Sequence, residues 1–128
     1  MGNNKKRTLE EVLESLDETQ RQTTQKIQSL IQSIIPEATE IIRRGNITYV
    51  LDGKDFVWLT HANGHVDVEF ALGVSLDSMF LKSHGIKEKN KCVQHVEVNN
   101  FEKYQSEITR LLHDAKRIWL KQYPETPA

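Results

Sequence analysis

Residues 46–73 read NITYVLDGKDFVWLTHANGHVDVEFALG, and the fold turns on this stretch. Three runs rich in β-branched and aromatic residues are separated by Asp52-Gly53 and Asn63-Gly64. Both dipeptides tolerate the positive φ of a two-residue hairpin turn, so the stretch reads as a three-stranded meander. A two-residue loop at Asn63-Gly64 pairs Ala62 with His65, Thr60 with Asp67 and Trp58 with Glu69. Side chains alternate along a strand, so Val57, Leu59, Val66, Val68, Phe70 and Leu72 share one face, the expected core side. Phe56, Trp58, Thr60, His65, Asp67 and Glu69 share the other, an unusual mixture of aromatic and ionisable groups.

Upstream, residues 1–7 form a polar, basic lead-in. Thr8 with Glu11 makes a capping-box pattern, and Leu9, Val12, Leu13 and Leu16 follow at helical spacing. Ser15 with Glu18 offers a second capping box, and no apolar residue lies between Asp17 and Gln22, so the helix is expected to break near Ser15. A second helix then presents Ile27, Leu30, Ile31 and Ile34 on one face. Pro36 is expected to open a short third helix, with Glu37 and Glu40 near its N-terminus, Arg43 and Arg44 in its last turn and Gly45 just beyond.

Downstream, Ser75 is expected to cap a short helical turn through Leu76, Met79, Phe80 and Leu81. Lys82 to Lys91 reads as a polar connection and Val93 to Val98 as a fourth strand. Asn99 and Asn100 suit a turn and an N-cap. Phe101, Tyr104, Ile108, Leu111, Leu112, Ala115, Ile118 and Trp119 mark a long amphipathic helix. Segregated strands and helices imply an α+β fold, with an antiparallel sheet of about four strands against N- and C-terminal helices. Residues 8–122 read as a single domain and residues 123–128 as a tail.

The 128 residues give room for one modest core. A formal net charge of −1 argues against an overall electrostatic drive toward nucleic acid or anionic lipid. The single cysteine, Cys92, has no partner for an internal disulfide, and one thiolate does not make a zinc cage. A reduced, cytoplasmic setting is the simplest expectation. No run approaches the ~20 apolar residues of a membrane span, and the N-terminus lacks the apolar core of a signal peptide.

The stretch Ile34-Ile35-Pro36-Glu37-Ala38 with Glu40, then Ile41 to Gly45, resembles a signature of the YdhG-like family of small bacterial and archaeal domains. Gly53-Lys54, Val57-Trp58-Leu59 and His65 to Phe70 are similar to that family's central strands. Gly73, Leu76, the Lys-containing loop, Gln94-His95-Val96 and the closing helix to Ala115 resemble its C-terminal half. Gln94 stands where the family usually carries arginine. The resemblance spans roughly residues 9 to 118 and implies an α+β domain similar to frataxin in outline. It also implies iron as a candidate ligand, since some members are regarded as iron chaperones.

Three groups of residues are candidate sites. The polar face of the meander, Phe56, Trp58, His65, Asp67 and Glu69, brings imidazole and carboxylates together beside aromatics. That set suits a divalent ion, a polar ligand, a protein partner or a second copy of the chain. The plainer alternative is that Phe56 and Trp58 pack under a loop. The second group is Glu10, Glu11, Glu14, Asp17 and Glu18, whose carboxylates suit hard cations or simply a solvated, capped helix. The third is Lys87, Lys89 and Lys91, an anion site or a solvated loop, without the aromatic platform of a nucleic-acid binder. No catalytic motif stands out. Cys92 and His95 fall on opposite faces of a strand, and the serines lack a nucleophile elbow. The expected role is therefore a non-enzymatic binding or interaction module without a dedicated cofactor.

Overall fold

The Glu11 N–H donates to Thr8 Oγ1 at 3.1 Å, and the Thr8 N–H donates to the Glu11 carboxylate at 2.8 Å. This capping box opens α1, Leu9–Glu14, in a computed structural model that describes residues 7–62, 64–83 and 93–123. The helix breaks at Ser15, which serves as the C-cap of α1 rather than as the start of the next helix. Asp17 caps α2, Glu18–Ile34, by accepting from the Gln20 N–H at 2.7 Å. The Arg21 guanidinium reaches back to the carbonyls of Leu13 and Leu16, each at 3.0 Å, and fixes the bend between the helices.

The expected third helix is a strand. β1, Thr39–Arg43, pairs antiparallel with β2, Asn46–Leu51, around a turn in which Arg44 (φ 55°) and Gly45 (φ 80°) are both left-handed. Gly after a basic residue suits a helix end and a primed hairpin turn equally, so the local signal does not separate them. The tertiary contacts do. On β1, Glu40 accepts from the Tyr49 hydroxyl (2.6 Å) on β2 and from Gln28 (3.1 Å) and Gln32 (3.2 Å) on α2. Burial first, then the Glu40 carboxylate, pushes the Tyr49 hydroxyl far above its usual pKa, so it remains a donor.

Asp52 (φ 51°) and Gly53 (φ 77°) turn β2 into β3, Lys54–Ala62, and the next hairpin leads to β4, His65–Phe70. The observed register is Ala62 opposite His65, Thr60 opposite Asp67 and Trp58 opposite Glu69, as the two-residue loop requires. Gly64 has a φ of 77°; its neighbour Asn63 lies outside the described residues. The expected helical turn after Ser75 is instead a 3-10 turn at Gly73–Ser75 followed by an irregular segment with a turn at Met79-Phe80. That segment ends in a two-residue strand β5, Leu81–Lys82, which pairs with the edge of β6, Gln94–Val98. Asn100 caps α3, Phe101–Gln122, through its side chain.

Six strands are thus found among the described residues, ordered β1-β2-β3-β4-β6-β5, all antiparallel, where about four were expected. β1 and β5 are the additions, and both are held by neighbours distant from their own local signal. The core lies on one face, where Val57, Leu59, Val66, Val68, Phe70, Val96 and Val98 meet Ile27 and Ile31 of α2 and Ile108, Leu111 and Leu112 of α3.

Phe56 corrects the sequence reading. It does not sit with Trp58 on the polar face; it is 2 % exposed and belongs to the core. The pairing shifts between Tyr49 and Val50, with Tyr49 opposite Val57 and Val50 opposite Asp55, so Phe56 is the extra residue of a β-bulge. The bulge turns its ring against Trp119 of α3, edge-on at 5.0 Å. Trp58 stays on the polar face, half-buried.

Two outcomes follow from this packing. Phe56→Ala is expected to lose about 3–5 kcal/mol in urea denaturation, and Trp58→Ala clearly less; equal losses would contradict the bulge. A Cβ at Gly73 would lie 2.6 Å from the Gln94 backbone nitrogen and 2.7 Å from its Cβ. Gly73→Ala is therefore expected to cost about 1–3 kcal/mol by overpacking.

Candidate functional site

The face of the sheet turned away from the core carries a belt of ionisable side chains. Alternation along β4 sends His65, Asp67 and Glu69 outward, and on β6 it sends out His95 and Glu97. The register places Asp67 directly opposite Glu97 and Glu69 directly opposite His95. Lys82 of β5 is paired with His95 and closes the belt at the sheet edge. Thr60 and Trp58 of β3 border it on the other side, opposite Asp67 and Glu69.

Three of these groups are buried although they are charged or polar. Asp67 is 6 % exposed, Glu69 5 % and His95 3 %. His65 Nδ1 lies 2.8 Å from Asp67 Oδ1, Thr60 Oγ1 donates to Glu69 Oε2 at 2.7 Å, and His95 Nε2 lies 3.4 Å from Glu97 Oε2. Lys82 Nζ donates to the other Glu97 oxygen at 3.3 Å. One ligand atom each from Asp67, His95 and Glu97 lies within 4.8 Å of the others. No other group of three such side chains occurs among the described residues.

The two facing carboxylates are pushed apart electrostatically. Burial raises the pKa of Asp67, and Glu69 adds to this, while His95 and His65 only partly offset it. Burial also acts on Glu97, but hydrogen bonds from His95 and Lys82 outweigh it and leave that carboxylate below its usual range. Beside the belt is a cleft of about 300 Å³ lined by His65, Lys82, Glu97, Asn99, Tyr104 and the Met79-Phe80 pair. Phe80 meets Tyr104 edge-on at 5.4 Å, and Met79 is 89 % exposed.

The sequence places His65, Asp67, Glu69 and Trp58 on this face, but it assigns Lys82 to the polar connection and does not tie His95 or Glu97 to the face. The missing signal is a register. β4 and β6 are joined by a long connection rather than a hairpin, so no turn dipeptide tells which residues meet. His61, by contrast, faces the helices: its Nε2 lies 3.0 Å from Thr24 Oγ1, and burial holds its pKa below the usual imidazole range.

Three of the five carboxylates near α1 are used locally. Glu11 and Asp17 cap helices, and Glu18 binds Arg21 at 2.9 Å and Gln22 at 2.8 Å. Glu10 and Glu14 lie beside Leu13 and Arg21 at a separate surface depression. Their donor atoms form no metal-sized group. Lys87, Lys89 and Lys91 lie outside the described residues, as do His84 and Cys92. No helix among the described residues is long and apolar enough to cross a membrane.

The raised pKa of Asp67 fixes the sign of a pH effect. An unfolded aspartate ionises near about 3.9, and the folded carboxyl holds its proton to higher pH. Above the folded value the ionised group subtracts stability; as pH falls through that value, protonation removes the penalty. Asp67→Asn is therefore expected to be more stable than the parent at about pH 7, with the gap closing toward about pH 4 in parallel denaturation curves. A loss at neutral pH, or a gap that ignores pH, would contradict this account.

No curated protein and no solved structure matches the chain. The family model DUF5655, a domain of unknown function, matches residues 9–116, from the start of α1 into the last turns of α3. The match takes in every side chain of the belt and the cleft, and the chain belongs to the DUF5655 family.

Proposed function

We propose that this domain is a non-enzymatic binding module whose ligand seats on the β4–β6 face. The observation that carries the reading is the burial of Asp67 and Glu69 on the side of the sheet that the helices do not cover. Packing of the core makes no use of these carboxylates. Burying them opposes folding, and a buried ion pair returns little net stability over an apolar pair of the same size. Groups placed against stability in this way concentrate at functional sites. The adjoining cleft offers a ligand an aromatic wall at Phe80 and Tyr104 and a cation at Lys82.

Binding is favoured over catalysis by what surrounds His65. Its ring is oriented by Asp67 as a general base would be, but among the described residues no hydroxyl or thiol is hydrogen-bonded to it. The Thr60 hydroxyl is given to Glu69, and the Ser78 hydroxyl to Glu107. The likeness to YdhG-like domains rests on the short motifs quoted above and is in keeping with a small binding domain. A cytoplasmic setting is proposed on the single cysteine alone.

The double variant Asp67→Asn/Glu69→Gln separates a ligand site from a structural network. A face reserved for a ligand predicts a melting temperature equal to or above that of the parent at neutral pH. A structural network predicts a loss of more than about 2 kcal/mol, because its partners would be left unsatisfied. That second result would remove the reading.

A further inference from the structure

We infer that Asp67, His95 and Glu97 bind a divalent first-row transition-metal ion; this deepens the binding-module reading and rests on it. Two carboxylate oxygens and one imidazole nitrogen come from two directly paired strands, with donor atoms within 4.8 Å of one another. Tetrahedral ligation at ~2.1 Å separates donor atoms by ~3.4 Å. His95 Nε2 and Glu97 Oε2 already stand 3.4 Å apart. An Asp67 oxygen lies within 4.8 Å of both.

The surroundings are those of a ligand set. Metal-binding side chains are characteristically held by outer partners that fix their orientation. Here His65 holds one oxygen of Asp67 at 2.8 Å, and Lys82 holds the Glu97 oxygen that faces away from His95 at 3.3 Å. The cleft beside the site includes Glu97 and His65 in its wall, which gives an ion a route in and leaves room for further ligands. An ion would also relieve the central electrostatic difficulty of the face, a buried Asp67 whose carboxylate is destabilised by burial and by Glu69. One imidazole among carboxylates favours ions such as Zn²⁺, Co²⁺ or Mn²⁺ over Mg²⁺ and Ca²⁺, which prefer all-oxygen shells.

Cobalt is the probe, because Co²⁺ absorbs in the visible when protein-bound and reports its own ligand field. Titration of the full chain is expected to saturate at one equivalent, with Zn²⁺ displacing the cobalt and Mg²⁺ failing to do so. Glu97→Gln, at a half-exposed position, is expected to weaken binding at least tenfold while leaving the fold intact. His95→Ala is expected to do the same and to change the cobalt spectrum; circular dichroism checks that this buried change leaves the chain folded. His65→Gln, which removes only an outer partner, is expected to weaken binding about tenfold. Glu10→Gln/Glu14→Gln on α1 should change nothing. Absence of saturable cobalt or zinc binding by the folded chain overturns the inference, as does binding that survives both Glu97→Gln and His95→Ala. If Asp67→Asn/Glu69→Gln retains full stability yet the parent chain binds no ion, the metal is refuted and the binding face remains.

Discussion

The hairpin between β3 and β4 determines which side chains of β4 meet the helices, because a slip of one residue would exchange the two faces of the strand. With Ala62 opposite His65, the apolar set Val66, Val68 and Phe70 lies beneath α2 and α3. His65, Asp67 and Glu69 are then obliged to point the other way. β6 follows the same division, its Val96 and Val98 turned to the core and its His95 and Glu97 to the belt. One register therefore builds the core and the candidate site together. Neither can be altered by shifting the strand without losing the other.

The bulge at Phe56 shows how the same sheet separates its aromatics. Strict alternation would leave Phe56 and Trp58 side by side on the polar face, as the sequence suggests. The extra residue opposite the Tyr49–Val50 step frees Phe56 to turn toward Trp119. An edge-to-face ring contact adds to the area that the buried phenyl removes from water. Trp58 is left as the aromatic border of the belt beside Glu69. An aromatic face as first read is thus a face with one tryptophan.

The belt itself is a problem in charge balance. Asp67, Glu69 and Glu97 bring three carboxylates to one patch, beside Lys82 and the imidazoles of His65 and His95. Glu97 lies at the rim and keeps its charge easily, through Lys82 and His95. Asp67 lies deeper and does so reluctantly. The cation we propose would offset that asymmetry, since Asp67 is one of its three ligands. On α1 and the turn after it, Glu11 and Asp17 are engaged in capping and Glu18 in the Arg21 ion pair.

Several elements were legible in the sequence because their signals are local. Thr8 and Glu11, Asn100, the Asp52-Gly53 turn and the β3–β4 register rest on residues a few positions apart, and the structure carries all of them. The α+β order and the break after α1 belong to the same class, although the cap of α2 is Asp17 rather than Ser15. β1 carries a turn signal that suits a helix end as well, and its ladder with β2 and the convergence of Tyr49, Gln28 and Gln32 on Glu40 decide for the strand. β5 has two residues and no periodicity to read; pairing with β6 makes it a strand. By itself, then, the sequence determined the alternation that gives β4 an apolar and an ionisable side. Only the tertiary structure decided that His95 and Glu97 lie against that side and Phe56 does not. The reason is that long-range register and bulges are set by packing across the sheet, and no local run of residues encodes them.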